Sequence, residues 1–348
     1  MKPLFEVKKV DVNFYETYLR DFLPDRIVDC HSHVWCQSML SPDPLALSRT
    51  PAWPWRVAKD NPVEDLIETY KLLFPGKQVS PWIFSHIIAK DNLDILNGYV
   101  SQCAAKHDFA SLAITLPDWD PQTFETVITE GGFLGAKPYP TFSPSHIPSD
   151  EIQIFDFVPH RQLQVLDRNG WILLLHLPRP ARLKDPLNLT QLLEIENRYP
   201  NIKLIVAHIG RAYCLENVGN AFEILADAKK MLFDISANTN TQTMHALIEA
   251  VGPRRILFGS DLPPARARLR RICQGENYVN LVPKGLYGNV STDEKMREVE
   301  GEEAEKLTFF LYEEIDAFRR ASLAAKLTQR DLQEVFCNNA SRMIRSLK

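Results

Sequence analysis

Four short apolar runs in this chain lead into side chains that bind metals, and this recurrence limits the folds open to it. Ile27-Val28-Asp29-Cys30 leads into His31 and His33. Trp171 to Leu175 leads into His176, Ile202 to Ala207 into His208, and Ile256 to Ser260 into Asp261. Strands buried on both faces read as continuous apolar runs. When such strands are parallel and close on themselves, the groups at their carboxyl ends share one mouth. The pattern predicts a single site lined by imidazoles and a carboxylate.

The rest of the chain follows the same rhythm. Strands are expected at Arg26 to Cys30, Val79 to His86, Ala110 to Leu116, Phe133 to Tyr139, Trp171 to His176, Ile202 to His208, Leu232 to Ser236 and Ile256 to Gly259. Helical spacing falls between them at Val63 to Leu73, Leu93 to Ala105, Pro121 to Thr129 and Phe155 to Leu166, the last ended by Asn169-Gly170. Further helices are expected at Leu189 to Asn197 with Asn188 as cap, Val218 to Met231 and Met244 to Val251. A leader helix at Phe14 to Phe22 and two closing helices, Ala304 to Leu327 and Gln329 to Ser346, flank the repeat. Alternating strands and helices specify a parallel sheet with helical crossovers, and eight units specify closure. The fold class is therefore α/β, a (β/α)8 TIM barrel forming one domain over residues 1–348. It carries one insertion after strand 1 (about 35–77) and another after strand 8 (about 264–305). Pro42, Pro44, Pro51, Pro54 and Pro62 keep the first half of the first insertion from being a regular helix.

Composition narrows the partners. A net charge of −4 leaves no broad basic surface for nucleic acid. Arg266, Arg268, Arg270 and Arg271 are read as a solvated helix face. Six scattered cysteines without a CxxC pair read as reduced thiols rather than a disulfide frame. The charged amino terminus has no apolar signal core, and no stretch approaches the roughly 20 apolar residues of a membrane span. A soluble, cytoplasmic protein is expected. The long carboxyl-terminal helix and the insertions offer a surface for a homo-oligomer.

At a strand end, His31 and His33 fall on one side of the pleat. Two neutral imidazoles suit a borderline ion, Zn²⁺ first and Mn²⁺ second. His176 adds a third nitrogen. Asp261 adds a carboxylate that either binds the ion or accepts a proton from water, whose pKa a metal lowers toward about 7. The structural alternatives are a core histidine for His176 and a helix cap for Asp261. His208 either binds a second ion or hydrogen-bonds a substrate carbonyl. Lys137 is either carbamylated and bridging two ions, an ammonium that pairs with a substrate anion, or a solvated lysine. Arg179 and Arg211 lie three residues past His176 and His208. They suit a substrate carboxylate or a salt bridge to a neighbouring loop. Trp35, Trp53 and Trp55 offer an aromatic wall or simple loop packing. His86 reads as packing.

These segments carry a resemblance. Val28-Asp29-Cys30-His31-Ser32-His33, Gly135-Ala136-Lys137-Pro138, Leu175-His176, Val206-Ala207-His208-Ile209-Gly210 and Ile256 to Pro263 resemble the amidohydrolase superfamily, in its amidohydrolase-related branch. Asn338-Asn339-Ala340-Ser341-Arg342 is similar to that branch's closing helix. The resemblance implies a divalent metal held by His31, His33, His176 and Asp261 with His208 beside it. It implies hydrolysis of amides, lactones or other esters, or decarboxylation of aromatic or dienoic acids. That branch often has a histidine after the lysine segment. Here Tyr139 stands there, as a candidate substrate contact beside Lys137, which leaves the count at one or two ions.

Three functions compete. The first is a metal-dependent hydrolase of a small carbonyl substrate, with Asp261 and His208 as catalytic groups. The second is a metal-dependent non-oxidative decarboxylase of a small carboxylic acid. The third, a barrel that binds a ligand without turnover, gives little physical reason to keep all five donors.

Overall fold

The computed structural model describes residues 4–39, 56–86 and 93–347. Eight barrel strands follow in order. They are Arg26–His33, Gln78–Phe84, a third strand in two pieces (Ala110–Ser111 and Ala113–Thr115), Gly135–Pro138, Ile172–Leu175, Lys203–Val206, Leu232–Asp234 and Ile256–Leu257. Sequential neighbours pair in parallel. At the break in the third strand, Leu112 N donates to Ile83 O and Leu134 N to Ser111 O. The eighth strand returns to the first. Cys30 N donates to Phe258 O at 2.9 Å, Asp261 N to His31 O at 2.8 Å and His33 N to Leu262 O at 2.8 Å.

The apolar runs divide their residues between two layers. Ile172 and Leu174 join Val28, Cys30, Trp82, Phe84, Ile205, Ala207 and Leu257 in a cluster capped by Cys337, Ala340 and Met343 of the closing helix. Leu173 and Leu175 face the second layer, under the surrounding helices, with Ile27, Leu204, Val206, Phe233 and Ile256. A strand that feeds both layers has no polar face, because successive side chains alternate sides. By the same alternation His176 continues the inward row of Ile172 and Leu174.

The first strand needs a further device. Val28 and Cys30 point inward, so strict alternation would turn His31 and His33 outward. The pairing with the second strand slips between Asp29 and Ser32. This bulge inserts one extra residue and re-aims both histidines into the mouth. At the sixth strand, Ala207 is inward and His208 takes a left-handed turn (φ 56°) that Ile209, Gly210 and Arg211 continue. Gly210 is required there. A Cβ would sit 2.7 Å from Leu183 Cδ1 and 2.9 Å from Leu177 Cδ1.

Several local expectations change. The helix placed at Val218 to Met231 is only Ala221–Ile224 and one 3₁₀ turn, Leu225–Asp227. Glu196 accepts from Lys230 N and Met231 N and draws that end out of helical geometry. The cap at Asn188 is instead Asp185, which accepts from Leu187 N and Asn188 N, while Asn188 donates to Arg182 O. Pro159 splits the helix expected from Phe155 into Ile154–Phe157 and His160–Asn169. The leader helix lies at Lys9–Phe14 with a π turn at Tyr15–Leu19, and the helix expected from Ala304 is split into Gly301–Glu305 and Phe310–Ala324.

The segment after the eighth strand is a small sheet. Arg270–Gln274 pairs antiparallel with Asn277–Pro283, which pairs in parallel with Met296–Val299. The four arginines are therefore not a helix face. Arg270 and Arg271 lie on a strand, and Arg268 is buried against Asp11 at 2.6 Å. Arg266 lies over the Phe5 ring. Nor are all six cysteines reduced. Packing of this sheet on the loop past His208 brings Cys273 to Cys214, and the two form a disulfide. Cys30, Cys36, Cys103 and Cys337 are free. No helix among the described residues is long and apolar enough to cross a membrane.

Candidate metal centre

Three of the site's four histidines have one ring nitrogen fixed from behind. His31 Nδ1 lies 2.9 Å from Asp234 Oδ2. His33 Nδ1 lies 3.2 Å from the Ser85 carbonyl. His208 Nδ1 lies 3.1 Å from the Ser236 carbonyl and 2.8 Å from its hydroxyl. A carbonyl or carboxylate accepts, so Nδ1 must carry the hydrogen in all three rings. Their Nε2 atoms are then bare lone pairs, and they face one another's neighbours across a small space.

His33 Nε2 is 3.1 Å from Asp261 Oδ1, and His31 Nε2 is 3.6 Å from the same oxygen. His176 Nε2 is 2.8 Å from His208 Nε2. Two sets have ligand atoms within 4.8 Å of one another: His31, His33 and Asp261, and His31, His176 and His208. His31 is common to both. Its Nε2 is buried and has no hydrogen-bond partner among the described residues. Lone pairs and a carboxylate oxygen pointed at one another repel unless positive charge lies between them. The donor set therefore fits a divalent cation, and it is the nitrogen-rich mixture that suits Zn²⁺ or Mn²⁺.

The titration behaviour agrees with neutral imidazoles. Burial, helped by the Lys137 charge and opposed by Asp234, brings His31 down to about 3. Burial lowers His176 far below its ordinary value, and lowers His208 as well. Burial opposes ionisation of Asp261. Positive charge among the His33, His208 and His31 rings, whether a proton or an ion supplies it, outweighs that cost and holds the carboxyl below the usual carboxylate range. The Asp261 side chain is 20% exposed, whereas those of His31 and Asp234 are fully buried.

Lys137 is fully buried on the fourth strand, and its Nζ has no hydrogen-bond partner among the described residues. It lies 5.3 Å from the centres of the Phe84 and Tyr139 rings. Burial brings its pKa down to about 7, against the pull of Asp234, Asp261 and Cys30. The Tyr139 ring is 5.4 Å from that of His176, and its buried hydroxyl also has no hydrogen-bond partner among the described residues. Arg211 Nη1 donates to the carbonyls of Leu177 and Pro178. Arg179 is tied to Asp185 at 3.1 Å and to the Glu151 carbonyl. The His86 ring packs 5.0 Å from that of the buried Trp35, whose Nε1 donates to Lys59 O. Trp53 and Trp55 lie outside the described residues.

Three supporting groups stand outside the sequence-based site. Asp234 Oδ1 accepts from His208 N at 2.7 Å and from Ser236 N and Oγ, while Oδ2 holds His31. Its signal was available, since it closes Leu232-Phe233 as His176 closes its own run. Ser236 had no comparable signal. Asp29 accepts from His31 N, Ser260 N, Ser260 Oγ and the Tyr70 hydroxyl, and so braces the first strand against the eighth. An acid inside an apolar run was the clue. Despite these donors, burial raises its pKa to about 6.

With this geometry in hand, the sequence matches the family model described as amidohydrolase over residues 28–345. The chain belongs to the amidohydrolase family. No curated protein sequence matches it. Among solved structures, it is similar to a dihydroxybenzoic acid decarboxylase from Polaromonas with bound manganese and 2-nitroresorcinol. The TM-score is 0.56 at 14% identity, over 93% of this chain and 98% of that one. It is similar to a 4-oxalomesaconate hydratase from Rhodopseudomonas palustris, with TM-score 0.56 and 14% identity over 92% and 96%. A probable 2-pyrone-4,6-dicarboxylic acid hydrolase from Acinetobacter baumannii with citric acid bound gives TM-score 0.56 and 14% identity over 92% and 99%. At these identities the likeness is one of fold, the amidohydrolase TIM barrel.

Proposed function

We propose that this amidohydrolase is a metal-dependent hydrolase of a small carbonyl substrate, a lactone, ester or amide. One observation carries the reading: lone pairs of buried imidazoles converge on an ionised Asp261 that solvent can reach. His31, His33, His176 and Asp261 would hold the ion, Zn²⁺ in first place and Mn²⁺ in second. Lys137 and His208 are the groups left for a second ion. A divalent ion so held supplies Lewis-acid polarisation of the carbonyl and acidifies water.

The chain's own groups do the rest. Asp261, ionised and at the mouth, accepts a proton from water and returns it to the leaving group. His208, with Nδ1–H anchored on Ser236, presents Nε2 to the substrate side and assists. Tyr139 and Lys137 present donors that no described residue pairs, and these meet substrate oxygens. Arg211, whose charge acts on His176, is held by the carbonyls of Leu177 and Pro178. Arg179, in its ion pair with Asp185, braces the loop past His176.

Decarboxylation of a small carboxylic acid is the second reading. The buried Lys137, with no carboxylate bonded to it among the described residues, would hold a substrate carboxylate, and the structures of like fold include decarboxylases. Turnover in ¹⁸O-water separates the two. A hydrolase places the label in the product acid, whereas a decarboxylase releases CO₂ with no label in the organic product. Full turnover by protein shown to be metal-free would end both readings.

A further inference from the structure

Cys214 and Cys273 are 59 positions apart and joined by a disulfide, with Cα atoms 5.8 Å apart. Both ends of this bridge lead to the donor cluster. Cys214 lies six residues past His208, beyond four successive left-handed residues from His208 to Arg211. Such backbone persists only where its surroundings hold it. At the other end, Arg271, two residues before Cys273, donates to the Ala237 carbonyl at 2.6 Å. Ala237 is itself left-handed (φ 54°), and its N–H donates to the buried Glu314. The residue before it, Ser236, orients His208 Nδ1. The path from His208 through Cys214, Cys273, Arg271, Ala237 and Ser236 thus returns to His208. The disulfide is its one covalent cross-link.

We propose that Cys214 and Cys273 form a thiol–disulfide exchange site, at which a small thiol of the glutathione class opens this ring and frees His208 from its fixed orientation. The inference rests on the reading of His208 as a site residue. Cys214 is fully buried and Cys273 is exposed, so attack falls on Cys273 Sγ. A thiolate bonds to that sulfur, the Cys214–Cys273 bond breaks, and Cys214 leaves with the electron pair and takes a proton. A second thiol then attacks the small-molecule sulfur and releases Cys273. Two small thiols become one small disulfide, and the protein gains two thiols. A small disulfide drives the reverse. The competing arrangement is that stacking holds the two segments without the bridge, since the Arg271 guanidinium carbon lies 4.6 Å from the Tyr213 ring and 4.2 Å from the Tyr278 ring.

Amide hydrogen exchange decides between them. The full-length protein, as purified and without substrate, is compared after equilibration with oxidised and with reduced glutathione, its thiols counted by mass after alkylation. Reduction is expected to add two alkylatable thiols and to speed exchange about tenfold or more at the amides of His208 and Ala237, which donate to Asp234 and Glu314. The C214S/C273S double variant should show the fast rates in either buffer. Where that variant does not fold, the wild-type comparison alone decides. A bridge that resists reduced glutathione in the folded protein, or faster exchange confined to 273–277, overturns the proposal. The readout needs no turnover, so it separates the two arrangements even in a protein that hydrolyses nothing.

Discussion

Replacing Asp234 by Asn tests the logic of the site with the smallest change of shape. Asp234 Oδ1 accepts from three donors, His208 N, Ser236 N and Ser236 Oγ. The asparagine oxygen must take that place, because its amide would meet three donors there. The Asn amide then faces His31 Nδ1, at the 2.9 Å now spanned by an accepted hydrogen bond. Two donors cannot share that contact, so His31 moves its hydrogen to Nε2 and loses the lone pair it offers an ion. Losing such an outer partner typically costs about 10–100-fold in metal affinity, or roughly 1.4–2.7 kcal/mol. The assay is competition of Mn²⁺ or Zn²⁺ between the protein and a chelating dye, with thermal melts to show that the variant is folded. Wild-type affinity in a folded D234N protein would refute the assignment of His31 Nε2 as a ligand oriented by Asp234.

Three further outcomes are expected. Asp261→Asn should lower kcat by about 10²–10⁴-fold with the fold intact, read by steady-state kinetics once a substrate is found; unchanged kcat would remove Asp261 from proton transfer. Acid sensitivity follows from His31 and His86, both brought to about 3 by burial, against about 6.5 in the unfolded chain. Each contributes stability that is present above about pH 6.5 and lost as pH falls toward 3, with a slope near 1.4 kcal/mol per unit. Denaturant melts of metal-free His86→Gln should therefore show a shallower loss than wild type between about pH 5.5 and 4, and parallel curves would refute the point. Finally, Asp11 is buried and accepts two hydrogen bonds from Arg268 and one from Thr308. Asp11→Ala leaves that guanidinium without its carboxylate and should cost about 3–5 kcal/mol by chemical denaturation, whereas a loss under about 1 kcal/mol would mean that water reaches Arg268.

The barrel was readable because its strands are buried twice over. A run such as Ile172–Leu175, apolar on both faces, is hard to place anywhere but between a packed interior and a helical layer. The donors that end those runs were readable for the same reason. What the chain concealed are effects of register and distance. The bulge after Asp29 decides that His31 and His33 turn inward, yet nothing in their spacing announces it. Asp234 was hidden because its run is so short, and Ser236 because a serine after a strand is unremarkable locally. The arginines of 266–271 looked like a charged helix face because period alone cannot reveal a partner as remote in sequence as Asp11. Cys214 and Cys273 meet only through the packing of the small sheet on the loop past His208.

The central claim is that side chains from four separate strand ends surround one cation site. Crystals grown with Mn²⁺ and measured at the manganese edge test it directly. An anomalous peak is expected within ligand distance of His31 Nε2, His33 Nε2, His176 Nε2 and Asp261. A well-ordered barrel with no peak there, or with manganese bound only elsewhere, would contradict it.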